Sequence, residues 1–275
     1  ANSLVASYTH ISVIIVSGSS VISSFQFGDG VDYVRIPGVE KQSDGRYGPH
    51  HLNLDLNDTI RIRTDLIKQL ALSFDPDVFI VDKEPIGLRG ELVPALDILR
   101  RRGARIVLGL RVVLDEPEKL NEEWRNSGAL EALNQIYDDI FVYGLESVYQ
   151  PLVGLPNQHL FADKIRYTGY LKRAVPSPMP PNRYPRITKG PFILVTPGGG
   201  GDGAGVIDWV ISAYEADPTI ALPALIVFGP FMSRERRKEF AERIARIPKL
   251  ESLGFEPRLE LLMNRAHCVV AMGGY

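Results

Sequence analysis

Residues 193–205 read Ile-Leu-Val-Thr-Pro-Gly-Gly-Gly-Gly-Asp-Gly-Ala-Gly, an apolar run that breaks into six glycines among the eight residues from Gly198 to Gly205. The apolar run, Phe192 to Thr196, reads as a buried strand, and the pattern from Gly205 to Tyr214 reads as a helix. Glycine lets the backbone come close to a ligand, and a helix N-terminus offers unpaired N–H groups at the positive end of its dipole. Together they suit a phosphate or pyrophosphate. No Gly-Lys-Ser/Thr follows, so this is not a Walker A loop. No acidic residue closes the next strand at Phe228, so it is not the dinucleotide fingerprint either. A turn without a ligand is the competing reading, and the number of glycines between strand and helix favours the anion.

Other groups could join that chemistry. Gly273 and Gly274 follow the apolar run Cys268 to Met272, and two strand-end loops can converge on one crevice of a parallel sheet. Lys172 and Arg173 stand before a proline-rich stretch, where arginine could pair bidentately with phosphate or simply be solvated. In the first half, Val81-Asp82-Lys83-Glu84-Pro85 runs from a strand end toward Gly87-Leu88-Arg89-Gly90-Glu91. Glu84 there is a candidate base or hydroxyl-binding group, with capping and ion pairing at a helix start as the alternative. His50 and His51 sit beside the polar stretch Asp44 to Pro49, read as a loop able to fold over a cleft. His50 is therefore a second candidate for acid–base work. No histidine, cysteine or carboxylate set has metal-ligand spacing, so no metal site is expected. His10, His159 and His267 read as surface or structural, and no serine has a nucleophile-elbow pattern.

Short apolar runs alternate with helical patterns, the rhythm of βαβ units around parallel sheets. Strands are expected at residues 11–16, 33–36, 78–81, 105–110 and 140–142, mostly continuous runs suited to sheets covered on both faces. Helices are expected over Leu56 to Ser73, with Ile60, Leu66, Ile67 and Leu70 on one stripe, and over Glu91 to Arg102, stopping at Gly103. Val175 to Pro181 has four prolines in seven residues and marks a linker. The organisation is thus 1–173, a linker at 174–190, and 191–275. In the last part strands are expected at 224–228, 250–254 and 268–272, and helices at 233–247 and 258–265. Ala1 to Ala6 reads as the tail of a helix and Met272 to Tyr275 stops directly after a strand, so both ends are expected to continue.

At 275 residues, 45% apolar and 23% charged, the chain fits two soluble domains without disulfides. A net charge of −2 gives no field for nucleic acid. The single cysteine, Cys268, fits a cytoplasmic setting. No run reaches membrane-span length, which leaves only peripheral membrane contact open.

The order of Thr168-Gly169 to Arg173, the 198–203 loop, Gly254-Phe255-Glu256-Pro257 and Met272-Gly273-Gly274 resembles the C-terminal domain of GT-B glycosyltransferases. It is similar to the family 28-like group that contains the bacterial enzyme adding N-acetylglucosamine to the lipid-linked peptidoglycan precursor. In the first half, Asp82 to Pro85, Gly87 to Leu92, Gly109-Leu110-Arg111 and Leu114-Asp115 look like a related bacterial group of predicted glycosyltransferases. The resemblance implies two Rossmann-like α/β domains facing a cleft and a UDP-sugar, such as UDP-N-acetylglucosamine, as co-substrate with no further cofactor. It implies that Gly199, Gly200, Gly201, Asp202 and Gly203 wrap the donor diphosphate and that Arg173 approaches it. Phe255, with Glu256 beside it, would meet the uracil edge. Gly273 and Gly274 would begin a loop leading to an acidic residue beyond Tyr275 that grips the ribose. Glu84 and Arg89 fall on the acceptor side, and the family's histidine near the acceptor would precede Ala1. Glycines and Asp202 stand where the peptidoglycan enzyme has other polar residues, so a lipid acceptor is not implied. The expected activity is metal-independent, inverting sugar transfer to an unknown acceptor. An epimerase or hydrolase of the same fold, or a non-catalytic binder of nucleotide sugars, is the alternative.

Overall fold

The structure, a computed structural model, describes residues 1–8, 10–41, 47–114, 116–171 and 184–272. The chain separates into two compact units, Ala1–Leu171 and Lys172–Tyr275.

In the first unit a short helix, α1 (Asn2–Ser7), precedes β1 (Val13–Ser17) and β2 (Val31–Arg35), which pair in parallel. β3 (Val39–Lys41) and β4 (Tyr47–Pro49) pair antiparallel. Residues 47–49, expected in a loop, are therefore a strand; Pro49 sits at the last register position, where a missing N–H costs the ladder least. Then come α2 (Leu56–Phe74), β5 (Val78–Asp82), α3 (Val93–Arg102), β6 (Arg105–Arg111), α4 (Pro117–Ser127), α5 (Ala129–Gln135), β7 (Asp139–Tyr143) and β8 (Ile165–Tyr167). β5-β6-β7-β8 is a parallel sheet in chain order.

Local chemistry explains these elements. Asp55 caps α2 by accepting from the Asp58 N–H at 2.7 Å. The row that α2 buries is Thr59, Ile67 and Ala71, steps of four that also carry Arg63. Leu66, expected on that stripe, is exposed, because one residue turns a helix by about 100°. α3 buries Ala95, Leu96 and Leu99 and ends at Gly103 in the left-handed region (φ 83°), where the Ala104 N–H reaches the Leu99 carbonyl. α4 and α5 were not expected from the sequence. Leu120 and Trp124, one turn apart, are the only apolar side chains of α4, and both are buried. β6 is buried along its five central residues, as a covered parallel strand should be. β5 departs from that expectation: Val78 and Ile80 are each 50% exposed on one face.

The second unit runs β9 (Ile193–Thr196), α6 (Ala204–Ala216), β10 (Ala224–Val227), α7 (Arg234–Ile244), β11 (Leu250–Leu253), α8 (Leu259–Arg265) and β12 (Cys268–Ala271). Its sheet is parallel with order β11-β10-β9-β12. The order reverses at β9, so β9 and β12 leave a crevice at their carboxyl ends. Val195, Ile207, Ile211, Ile226 and Phe240 form one core cluster, and Phe192, Leu194, Leu225 and Leu262 form another. Tyr184 and Ile187, in the last part of the stretch expected as linker, pack against the second cluster. A 3-10 turn at Arg186–Lys189 buries Thr188, whose carbonyl accepts from Arg265 at 2.6 Å. Residues 174–183 of that linker lie outside the described residues. No helix among the described residues is long and apolar enough to cross a membrane.

Candidate functional site

The glycine turn after β9 lies against the loop after β10. The Thr196 hydroxyl accepts from the Gly198 N–H at 3.3 Å, and the Phe231 N–H donates to the Gly199 carbonyl at 2.9 Å. Gly198 (φ 73°) and Gly200 (φ 91°) take left-handed backbone. A Cβ at Gly200 would stand 2.4 Å from the Phe228 carbonyl oxygen, and one at Gly229 would stand 2.4 Å from the Gly198 carbonyl oxygen. A Cβ at Gly203 would stand 1.9 Å from the Pro197 side chain. Much of the glycine content is thus required by backbone packing between two loops. Gly201 and Gly205 are different: a Cβ at either meets nothing within 4 Å. They flank the start of α6, whose N-cap is Gly203 and carries no side-chain cap. No side chain caps the first-turn N–H groups, which suits them to an anion.

Asp202 is exposed beside that helix start, and no hydrogen bond or ion pair engages it among the described residues. Glu256 is buried and accepts from the Arg258 N–H at 2.9 Å, so part of its carboxylate is committed to the turn before α8. Phe255, between β11 and that turn, is partly exposed. Arg173, Gly273 and Gly274 lie outside the described residues. Ala271 pairs with Thr196, so the segments after β9 and β12 leave from neighbouring register positions.

One basic side chain at this edge carried no signal in the sequence. Arg237 of α7 donates to the Gly229 and Pro230 carbonyls, both at 2.8 Å, while its Nε is buried without a partner. It braces the loop that backs the glycine turn.

The first unit has its own candidate site at the end of β5. Lys83 (φ 66°) and Arg89 (φ 53°) are left-handed, as are Gly87 and Gly90. Such backbone at non-glycine residues costs about 1–3 kcal/mol each and persists only where neighbours enforce it. Here the neighbours are numerous. The Lys83 N–H reaches the Gly109 carbonyl, the Gly87 N–H reaches the Glu84 carbonyl, and the Tyr137 hydroxyl donates to the Pro85 carbonyl. Arg89 donates to Asn57 at 2.8 Å. Beneath them Arg63 forms two bonds with Glu91, at 2.5 and 2.6 Å, and a third with the Pro37 carbonyl at 2.7 Å. Glu91 is only 5% exposed. Gly18 makes room for this arginine, since a Cβ there would lie 2.8 Å from the guanidinium.

A pocket of about 360 Å³ opens over this pair, lined by Gly18, Tyr47, Arg63, Trp124, Ser127 and residues 84–89. That volume lies within the range of about 300–1,000 Å³ usual for small-molecule sites. Glu84 and Arg89 both line it; Glu84 is exposed, with Lys83 at 3.4 Å. His50 does not line it: its Nδ1 is 2.5 Å from Glu40 across the β3–β4 pair. Near the helix start it is Glu91, paired with Arg63, that forms the buried ion pair. Neither Arg63 nor Glu91 was a sequence candidate, since nothing in the chain links positions 28 residues apart. At the strand ends, burial first and the Asp82 charge second push the Tyr143 hydroxyl above its ordinary range. Among the described residues no group of three or more histidine, cysteine, aspartate or glutamate side chains is placed to hold a metal ion.

The fold resembles solved structures over nearly its full length. A protein from Listeria monocytogenes provisionally assigned as a UDP-N-acetylglucosamine 2-epimerase superposes at a TM-score of 0.57, covering 96% of this chain and 66% of that one at 12% identity. A glycosyltransferase from Rickettsia africae gives 0.51, covering 98% and 66% at 14% identity. The UDP-GlcNAc 2-epimerase of Neisseria meningitidis, solved with UDP-GlcNAc, gives 0.51, covering 95% and 77% at 12% identity. The fold is of the GT-B kind. Two Rossmann-like units on parallel sheets are common to all three, and identities this low carry the GT-B architecture and nothing finer. The chain spans about two thirds of the length of the first two. No protein-family model matches the chain, and no curated protein matches it in sequence.

Proposed function

We propose that the second unit holds the diphosphate of a UDP-sugar at the β9–α6 turn, in an enzyme that transfers the sugar to an acceptor. The observation that carries this reading is the uncapped start of α6 between Gly201 and Gly205, both open to a ligand on a crevice-forming sheet edge. Support also comes from similar folds solved with UDP and with UDP-GlcNAc. The donor would be held by backbone at 199–203 with Arg173, Phe255, Gly273 and Gly274, and the acceptor by the pocket at Glu84 and Arg89. In the transfer, an acceptor oxygen bonds to the anomeric carbon as that carbon's bond to the β-phosphate oxygen breaks. The diphosphate leaves with the electron pair, and the hydroxyl proton passes to a base, for which Glu84 is the candidate. Backbone N–H groups and Arg173 meet the leaving-group charge, a design that calls on no metal.

A second reading has specific support, because UDP-GlcNAc 2-epimerases recur among the similar folds. One experiment separates the two. The protein is screened by thermal shift against UDP, GDP, dTDP, ADP and their sugars, and the fate of a stabilising sugar nucleotide is followed by NMR with EDTA present. Stabilisation by UDP, with sugar turnover only when an acceptor is added, is the expected result. An isomerised or free sugar without acceptor would establish the second reading. No shift with any nucleotide would overturn both.

A further inference from the structure

The loop after β10 does more than back the glycine turn. Its flanking residues Phe228 and Met232 are buried in the core of the second unit, and the Phe228 and Phe240 rings stack at 6.4 Å. Arg237 fixes the Gly229 and Pro230 carbonyls, and the Phe231 N–H is tied to Gly199. From this pinned loop the Phe231 side chain stands 53% exposed. Its ring lies over Gly199, so close that a Cβ there would come within 3.2 Å of it. A side chain so exposed on a backbone so restrained is a preformed aromatic face, and it borders the turn that receives the diphosphate.

We propose that Phe231 is a positioning residue that stacks on the sugar ring carried by the diphosphate, so that the site selects the sugar nucleotide over the bare nucleotide. This rests on the nucleotide reading given above. The ring abuts Gly199, within the diphosphate-binding stretch, so it reaches the groups bonded directly to the phosphates, the ribose on one side and the sugar on the other, and of these the sugar has the broader C–H face. The base is one ribose farther off. A pyranose offers a C–H face that an aromatic ring covers with little entropic cost, since phenylalanine has two side-chain torsions.

Calorimetric titration of the wild-type chain, Phe231→Ala and Phe231→Tyr with UDP and with UDP-GlcNAc tests this. Phe231→Ala is expected to weaken UDP-GlcNAc about tenfold while leaving UDP within about twofold, and Phe231→Tyr to retain both affinities. Melting temperatures of the variants identify any loss of fold, and Phe231→Leu, which keeps apolar bulk without the ring, then serves in place of alanine. Equal weakening of UDP and UDP-GlcNAc would overturn the proposal by assigning the ring to the part both share. No change in either would overturn it while leaving the nucleotide site intact. A wild-type chain that binds neither ligand would remove the nucleotide reading and this proposal together.

Discussion

At the residue scale, the glycine turn separates two roles that the sequence merges. Gly200 is left-handed and touches the Phe228 carbonyl, so Gly200→Ala should destabilise the second unit by roughly 1–3 kcal/mol. Gly201 meets open space and needs no special backbone, so Gly201→Ala should leave stability within about 1 kcal/mol. Its methyl group would instead occupy the cradle and weaken UDP binding by about tenfold. Urea unfolding and calorimetry on the two variants check both halves; a destabilised Gly201→Ala with normal UDP binding would count against the cradle. Arg173→Ala should weaken UDP by roughly 1–3 kcal/mol if its guanidinium meets phosphate, and an unchanged dissociation constant would make it a linker charge. The run of glycines was legible in the sequence as a whole. The division among them was not, because it depends on a second loop arriving about 30 residues later, at Gly229. Phe231 and Arg237 were silent for the same reason: both are ordinary residues until the β10 loop sets them against Gly199.

At the element scale, the row that α2 buries carries a charge. Arg63 stands among Thr59, Ile67 and Ala71, and its carboxylate partner comes from the segment before α3. Glu91→Ala would strand that guanidinium and should cost about 3–5 kcal/mol in urea unfolding. Replacing both partners with apolar side chains, Arg63→Met with Glu91→Leu, should recover much of that loss; equal losses would place the cost in the backbone instead. Most strands and the longer amphipathic helices were readable, because apolar runs and the stop at Gly103 are local signals. α4 was not, since two buried side chains in eleven residues give almost no period. Nor was the left-handed backbone at Lys83 and Arg89, which tertiary bonds impose on residues with no preference for it.

At the scale of the whole molecule, the alternation of strand and helix with one composition break indicated α/β units on parallel sheets, and only the resemblance of the ordered motifs indicated the GT-B kind. Which strands lie side by side was beyond the sequence, and two of them have a consequence for handling the protein. β1 and β5 each pair with a single strand among the described residues, and β5 also shows Val78 and Ile80 to solvent. Where no other segment covers it, an apolar edge strand is adhesive: it can recruit any extended chain that pairs with its outer amides and carbonyls. The protein should therefore show a concentration ceiling set by this strip, with light scattering rising before any loss of helical circular dichroism. Ile80→Lys should raise that ceiling without lowering the melting temperature by more than a few degrees, because a single lysine makes joining a second strand unfavourable.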